Sequence, residues 1–256
     1  MEKMPVLFVG HGSPMNAIEN NAYTDGWKKI ASLLPVPKAI LGVSAHWYTR
    51  GLHLSTEQQP RQVYDMYGFP QQLYALKYPA KGDPELAAAV SSLLGDQVQE
   101  DNSWGIDHGI WSVLSRMYPL ADIPVCQLSV DMTASPQEQF LLGERLRSLR
   151  EQGILILGSG NVVHNLRRVN WTMEEGYGWA RAFDQYIKER IEARKYPEVC
   201  AYAQAGEIAE KSFSTPEHFY PLLTILGAAD KDDTVKIFNE DTTLGALSMT
   251  SYLFCP

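Results

Sequence analysis

Short apolar runs closed by glycine or proline alternate along the chain with longer amphipathic stretches, the way βα units read in sequence. The runs at 5–9, 38–44, 123–130 and 153–158 show little polar alternation and predict buried strands. Helices are predicted over 85–95, where Pro84 suits a first turn, and over 136–150, where Ser135 and Glu138 have capping-box spacing. Longer amphipathic patterns predict helices over 176–194 and 217–228, and 198–209 reads as a further short one. The stretches 234–239 and 247–254 read as late strands. Between Gln58 and Gly82 the chain is rich in Tyr, Pro and Gln with weak periodicity, so Tyr64–Pro70 reads as an ordered excursion of the kind that covers sites. No repeat or low-complexity linker divides the pattern. The expectation is one α/β domain over 1–256, with a central, mostly parallel sheet flanked by helices.

Composition narrows the partners. The 256 residues are 45% hydrophobic and 20% charged, enough for a sizeable core. The net charge of −8, with no cluster of Lys and Arg, argues against nucleic acid as a partner. Cys126, Cys200 and Cys255 form no C-x-x-C pair, which is poor material for disulfides or a thiolate zinc site and fits a reducing compartment. The apolar run after Pro5 is too short for a signal-peptide core, and no run reaches the ~20 residues of a membrane span. A cytoplasmic protein is expected.

Of the six histidines, four sit where an apolar run meets a small polar loop or a helix start. His11 lies in Gly10-His11-Gly12-Ser13, His46 in Ser44-Ala45-His46-Trp47, His164 after Gly158-Ser159-Gly160-Asn161, and His218 in Thr215-Pro216-Glu217-His218. Residues at the carboxyl ends of strands in an α/β sheet share one crevice, so histidines distant in sequence can converge there on a metal. A single one of them, His11 for instance, is explained by a hydrogen bond to a carbonyl without any metal. Thr215 and Pro216 read as N-cap and N1, which places His218 in a first helical turn, where the helix dipole favours the neutral ring. His108 has Asp107 beside it, although sequence neighbours need not face each other, and His53 reads as the solvent face of a strand. Ser13 and Ser159 lack the glycine spacing of a nucleophile elbow, which argues against serine hydrolysis.

Six segments, taken in order, resemble the class III extradiol ring-cleavage dioxygenases, in the 4,5-DOPA dioxygenase-like branch. They are Gly-His-Gly-Ser-Pro-Met at 10–15, Ser-Ala-His-Trp at 44–47, Tyr-Gly-Phe-Pro at 67–70, Trp-Gly-Ile-Asp-His-Gly at 104–109, Ser-Gly-Asn-Val-Val-His-Asn at 159–165 and Thr-Pro-Glu-His at 215–218. The resemblance implies one divalent metal ion per chain, Fe(II) for activity with Zn(II) as an alternative occupant, held by His11, His46 and His218. It implies His164 and His108 as acid–base residues, with His164 close enough to serve as a fourth ligand. Where better-studied members carry a carboxylate ligand, this chain has His218, with Glu217 beside it as the other candidate. The implied reaction opens a small, DOPA-like catechol with O2, in a monomer or small homo-oligomer. A base pKa near neutrality is expected of His164, and Trp47, Tyr67 and Phe69 are expected as aromatic walls. Two other readings remain open: a class II-type metal chelatase, which also begins with Gly-His-Gly-Ser after a strand, and a non-catalytic zinc-binding protein.

Overall fold

The computed structural model describes residues 3–256. Its strands are β1 (Val6–Gly10), β2 (Ala39–Thr49), β3 (Leu52–Leu54), β4 (Val98–Glu100), β5 (Val125–Asp131), β6 (Ile154–Gly160), β7 (Thr234–Phe238), β8 (Thr242–Thr243), β9 (Leu247–Ser248) and β10 (Ser251–Cys255). The helices are α1 (Ala22–Leu33), α2 (Gln71–Ala75), α3 (Pro84–Leu94), α4 (His108–Met117), α5 (Pro136–Leu146), α6 (Gly178–Glu192), α7 (Tyr196–Cys200), α8 (Glu207–Ser212) and α9 (Tyr220–Ala228).

Eight strands form one sheet in the order β4-β3-β5-β2-β6-β1-β10-β7. The central pairs β5–β2, β2–β6 and β6–β1 are parallel, while β10 joins β1 and β7 antiparallel and β3 meets β5 antiparallel. The expected mostly parallel sheet is therefore present at the centre, with antiparallel additions toward the edges. Side chains alternate across it. Val6 and Phe8 of β1 enter a core built with α3, α6, α7 and α9, whereas Leu7 and Val9 enter the opposite core with α1 and α4. Helices on both faces explain why the central strands read as unbroken apolar runs.

The pairing β2-β6-β1 sets three parallel strands side by side, so their carboxyl ends open onto one crevice. β2 runs past the predicted 38–44 to Thr49, and its register with β5 shifts between Val43 and Tyr48. Such an irregularity re-aims side chains, and His46 lies within it. The 217–228 helix is split: Pro216–His218 forms a 3-10 turn and α9 begins at Tyr220. The 136–150 helix ends at Leu146 and continues as 3-10 through Gln152, the 198–209 stretch is broken into α7, a 3-10 turn and α8, and the last strand is interrupted between β9 and β10. No helix is long and apolar enough to cross a membrane among the described residues.

Candidate active site

His11 follows β1 directly, and its backbone N–H donates to the Gly160 carbonyl at the end of β6, 3.0 Å away. His46 stands near the end of β2, one strand beyond. Gly160 brings in the third imidazole. A Cβ built on it would fall 2.1 Å from the His218 carbonyl oxygen, so only glycine lets the 3-10 turn lie against the strand end. The Asn161 N–H then donates to that same carbonyl at 2.8 Å. Gly109 does the same for the start of α4, where a Cβ would meet the Ser44 hydroxyl at 2.6 Å and the His46 ring at 3.0 Å. His108, the first residue of α4, thereby packs close to His46, with ring centroids 3.9 Å apart and planes tilted 51°.

Five of the six histidines gather in this crevice. One ring nitrogen from each of His11, His46 and His218 lies within 4.8 Å of the other two. The Nε2 atoms of His11 and His46 face each other at 3.1 Å. His164 lies flat against His218, its centroid 3.5 Å away and its plane tilted 5°. His53 stays apart, its Nδ1 3.6 Å from Asp101, in keeping with its reading as a surface strand residue.

The hydrogen-bond partners determine which nitrogens carry protons. The Ser159 hydroxyl donates to the Gly109 carbonyl at 2.5 Å, so its oxygen must accept at its 2.9 Å contact with His11 Nδ1. His11 is thus protonated at Nδ1, and Nε2 keeps its lone pair. The same hydrogen bond removes Ser159 as a nucleophile, because its proton points at a carbonyl and not at an imidazole base. His218 Nδ1 lies 3.2 Å from Glu217 Oε1, a carboxylate that can only accept, and His218 Nε2 is buried without a partner. Bare imidazole nitrogens gathered in this buried site offer their lone pairs to a cation between them.

Electrostatics keeps most of the cluster neutral. Burial first, then His46, holds the His11 pKa well below the ordinary value, and burial followed by His164 does the same for His218. Burial, then His46 and His108, takes His164 down to about 3, where a base pKa near neutrality was expected. Desolvation disfavours the charged ring, and two neighbouring imidazoles add to the penalty. His108 is lowered by burial and by His46. His46 is the exception: burial lowers it too, but Asp65, Asp107 and Glu217 outweigh that and raise its pKa.

Of two acidic residues in the site, Asp65 was not singled out in the sequence and Asp107 was noted only as the neighbour of His108. Asp65, from the 58–82 excursion, reaches His46 Nδ1 at 3.1 Å and His108 Nδ1 at 2.9 Å. Asp107 turns away from His108 and is buried, accepting from the Ser44 hydroxyl at 2.7 Å, from Trp104 Nε1 at 3.1 Å and from Gln127 Nε2. It braces β2 and β5 against the start of α4. Thr215 takes the N-cap position with Pro216 in the first turn, as read from the sequence, but its side chain makes no capping hydrogen bond, and the turn is only three residues of 3-10 helix. Among the expected aromatic walls, Trp47 is buried with its ring 6.3 Å from His53, Tyr67 is 93% exposed, and Phe69 packs against the α1/α4 core.

Comparison with known proteins agrees with this geometry. Residues 5–255 match the family described as the catalytic LigB subunit of aromatic ring-opening dioxygenase. A protein named 4,5-DOPA dioxygenase extradiol from Escherichia coli K12 is 44% identical over 97% of this chain and 94% of its own. One of the same name from Beta vulgaris is 37% identical over 97% of this chain and 95% of its own. The crystal structure of an uncharacterized protein from Escherichia coli K12 superposes with a TM-score of 0.85 at 41% identity, covering 98% of this chain and 99% of that one. These matches, together with a crevice of convergent imidazoles at the ends of parallel strands, favour neither a chelatase nor a non-catalytic zinc protein. The chain belongs to the class III extradiol dioxygenases, the family of the catalytic LigB subunit, and is a ring-cleavage dioxygenase acting on a small aromatic substrate with O2.

Proposed function

We propose that this enzyme is a non-haem Fe(II) extradiol dioxygenase that opens a small, DOPA-like catechol, with His11, His46 and His218 as metal ligands. The observation that carries the reading is the shared orientation of the site nitrogens. The Nδ1 atoms of His11 and His218 are turned to acceptors, while Nε2 of His218 is buried and unpaired and those of His11 and His46 face each other at 3.1 Å. Neutral imidazoles suit Fe(II) and Zn(II) alike, so Zn(II) is a competent occupant without being the active metal. His218, not Glu217, shares the ligand group with His11 and His46, which favours the imidazole as third ligand. Three neutral ligands leave the ion's charge uncompensated and favour an anionic, catecholate substrate.

When bound, ferrous iron supplies Lewis acidity toward the catechol oxygens and redox chemistry toward O2. The chain's own residues handle protons and water. His164, neutral above about pH 3, is free to accept a catechol proton, and a negative substrate beside it raises its basicity. Its ring lies parallel to that of His218, and it falls outside the group that His11, His46 and His218 form, though with Glu217 and His218 it makes a group of its own. This arrangement favours His164 as base over His164 as fourth ligand. His108 completes the proton inventory from the other side of the site, orienting the substrate or returning a proton on ring opening. The names of the relatives point to a DOPA-like substrate. The three free thiols, buried or half-buried, suit a reducing cytoplasm.

The test is anaerobic reconstitution with Fe(II), followed by air and a panel of catechols that includes DOPA. Oxygen uptake matched one-to-one by a yellow ring-opened semialdehyde is the expected result. Absence of both across the panel, from enzyme shown to hold one iron per chain, contradicts the assignment.

A further inference from the structure

The Asp65 carboxylate touches two functional imidazoles at once. Its Oδ2 lies 3.1 Å from His46 Nδ1 and its Oδ1 lies 2.9 Å from His108 Nδ1. Neither pair is aligned as a linear hydrogen bond, yet Oδ1 also accepts from the His108 backbone N–H at 3.0 Å. The loop that carries it is tied to the helix that carries His108. Trp111 Nε1 of α4 donates to the Val63 carbonyl at 2.8 Å, Val63 N–H donates to the Ile106 carbonyl at 2.8 Å, and the Tyr64 ring sits 5.6 Å from that of Trp111. The carboxylate is nearly buried, with its side chain 11% exposed, so its position is set by the fold.

We propose that Asp65 is a positioning residue that fixes His46 and His108 together in the Nδ1–H form, turning Nε2 of the first to the metal and Nε2 of the second to the substrate. The proposal rests on the reading of His46 as ligand and His108 as proton-handling residue. An ionised carboxylate is acceptor-only, with lone pairs enough for both rings and the backbone N–H. Each imidazole that gives Nδ1–H to it must present a bare Nε2 on its other edge. A carboxylate behind a ligating imidazole fixes its tautomer and raises its basicity. Here the same carboxylate also sets the angle of the neighbouring ring, so ligand and acid–base residue move as one unit.

Asp65→Asn separates this from a merely structural role, since the amide keeps the shape. Its oxygen must stay on the His108 backbone N–H, which puts the amide N–H2 where Oδ2 faced His46 Nδ1. Donor then opposes donor, and His46 escapes by moving its proton to Nε2, removing the lone pair from the ion. Zn(II) affinity, measured by chelator competition on the folded variant, is expected to fall 10–100-fold, with kcat on the iron-loaded enzyme falling and KM for catechol little changed. Affinity and kcat within twofold of the wild type overturn the proposal. Should the variant not fold, imidazole 15N chemical shifts of the metal-free wild type decide it: protonated Nδ1 on both His46 and His108 is expected, and protonated Nε2 on either overturns it. Zinc found on His46 Nδ1 with Asp65 and His108 overturns it as well. The wild-type titration judges the ligand reading separately, because that reading fails if Zn(II) does not bind or if binding survives His46→Ala, whereas the metal-free 15N shifts still judge Asp65.

Discussion

At the scale of single residues, the site works through what stands behind each imidazole. Ser159 accepts from His11 Nδ1 while donating to the Gly109 carbonyl, so Ser159→Ala leaves His11 free to take the wrong tautomer. Metal affinity is expected to weaken about tenfold, as for other lost partners of ligating histidines. Chelator competition checks it, and unchanged affinity would mean that the hydroxyl does not set the tautomer. His164→Ala tests the division of roles. Turnover is expected to drop roughly 100-fold or more, the usual worth of a general base, while the chain still holds its ion. Loss of the metal in that variant would make His164 a ligand instead. The metal-site imidazoles were legible in the sequence because each sits where an apolar run meets a small polar loop or a helix start, a position that a parallel sheet turns into a shared crevice. Asp65 was not, because it reaches His108 across 43 residues from a loop with no periodicity, and no spacing rule links the two.

At the scale of elements, close approach decides where the histidines go. A methyl group at position 160 has no room beside the His218 carbonyl, so Gly160→Ala must push the 3-10 turn off the end of β6. The expected destabilisation is about 1–3 kcal/mol, typical of overpacking, seen as a lower urea midpoint, together with weaker metal binding. A variant with wild-type midpoint and affinity would show that the turn has slack. The elements that the sequence disclosed were those with local signatures. The Ser135–Glu138 capping box is present with both hydrogen bonds, and Pro84 opens α3. α1 escaped notice because its capping box is Asn21 with Thr24 and its interior carries Gly26, against the usual helix pattern. α4 escaped because it starts at His108-Gly109, residues that read as loop until the packing against Ser44 and His46 is known. The amphipathic pattern over 217–228 ran on without a local signal for the break at Phe219, after which α9 begins at Tyr220.

At the scale of the whole molecule, the buried cluster makes stability depend on pH and on metal. His11, His108, His164 and His218 stay neutral in the fold, with pKa values below the ordinary one. In the unfolded chain they titrate near about 6.5, so as pH falls below that point the unfolded state binds protons that the folded state refuses. Stability of the metal-free protein is therefore expected to fall between about pH 6.5 and 5, by up to about 1.4 kcal/mol per pH unit for each such histidine. Asp184, which burial raises to about 6, acts in the opposite sense in this range, whereas the gain from His46, raised by Asp65, Asp107 and Glu217 against its burial, is already in place below about pH 6.5. Four against one leaves a net loss toward acid, read by urea melts across this range, and a flat or rising profile would contradict it. Bound metal holds the rings deprotonated and adds stability with each rise in its concentration above Kd. The central claim, that distant imidazoles meet around one ion through Nε2, is tested most directly by an anaerobic crystal structure of the iron-loaded protein with anomalous scattering at the iron edge. The account predicts a single peak bonded to Nε2 of His11, His46 and His218; a peak bonded elsewhere, or His11 and His46 turned from any common atom, would contradict it.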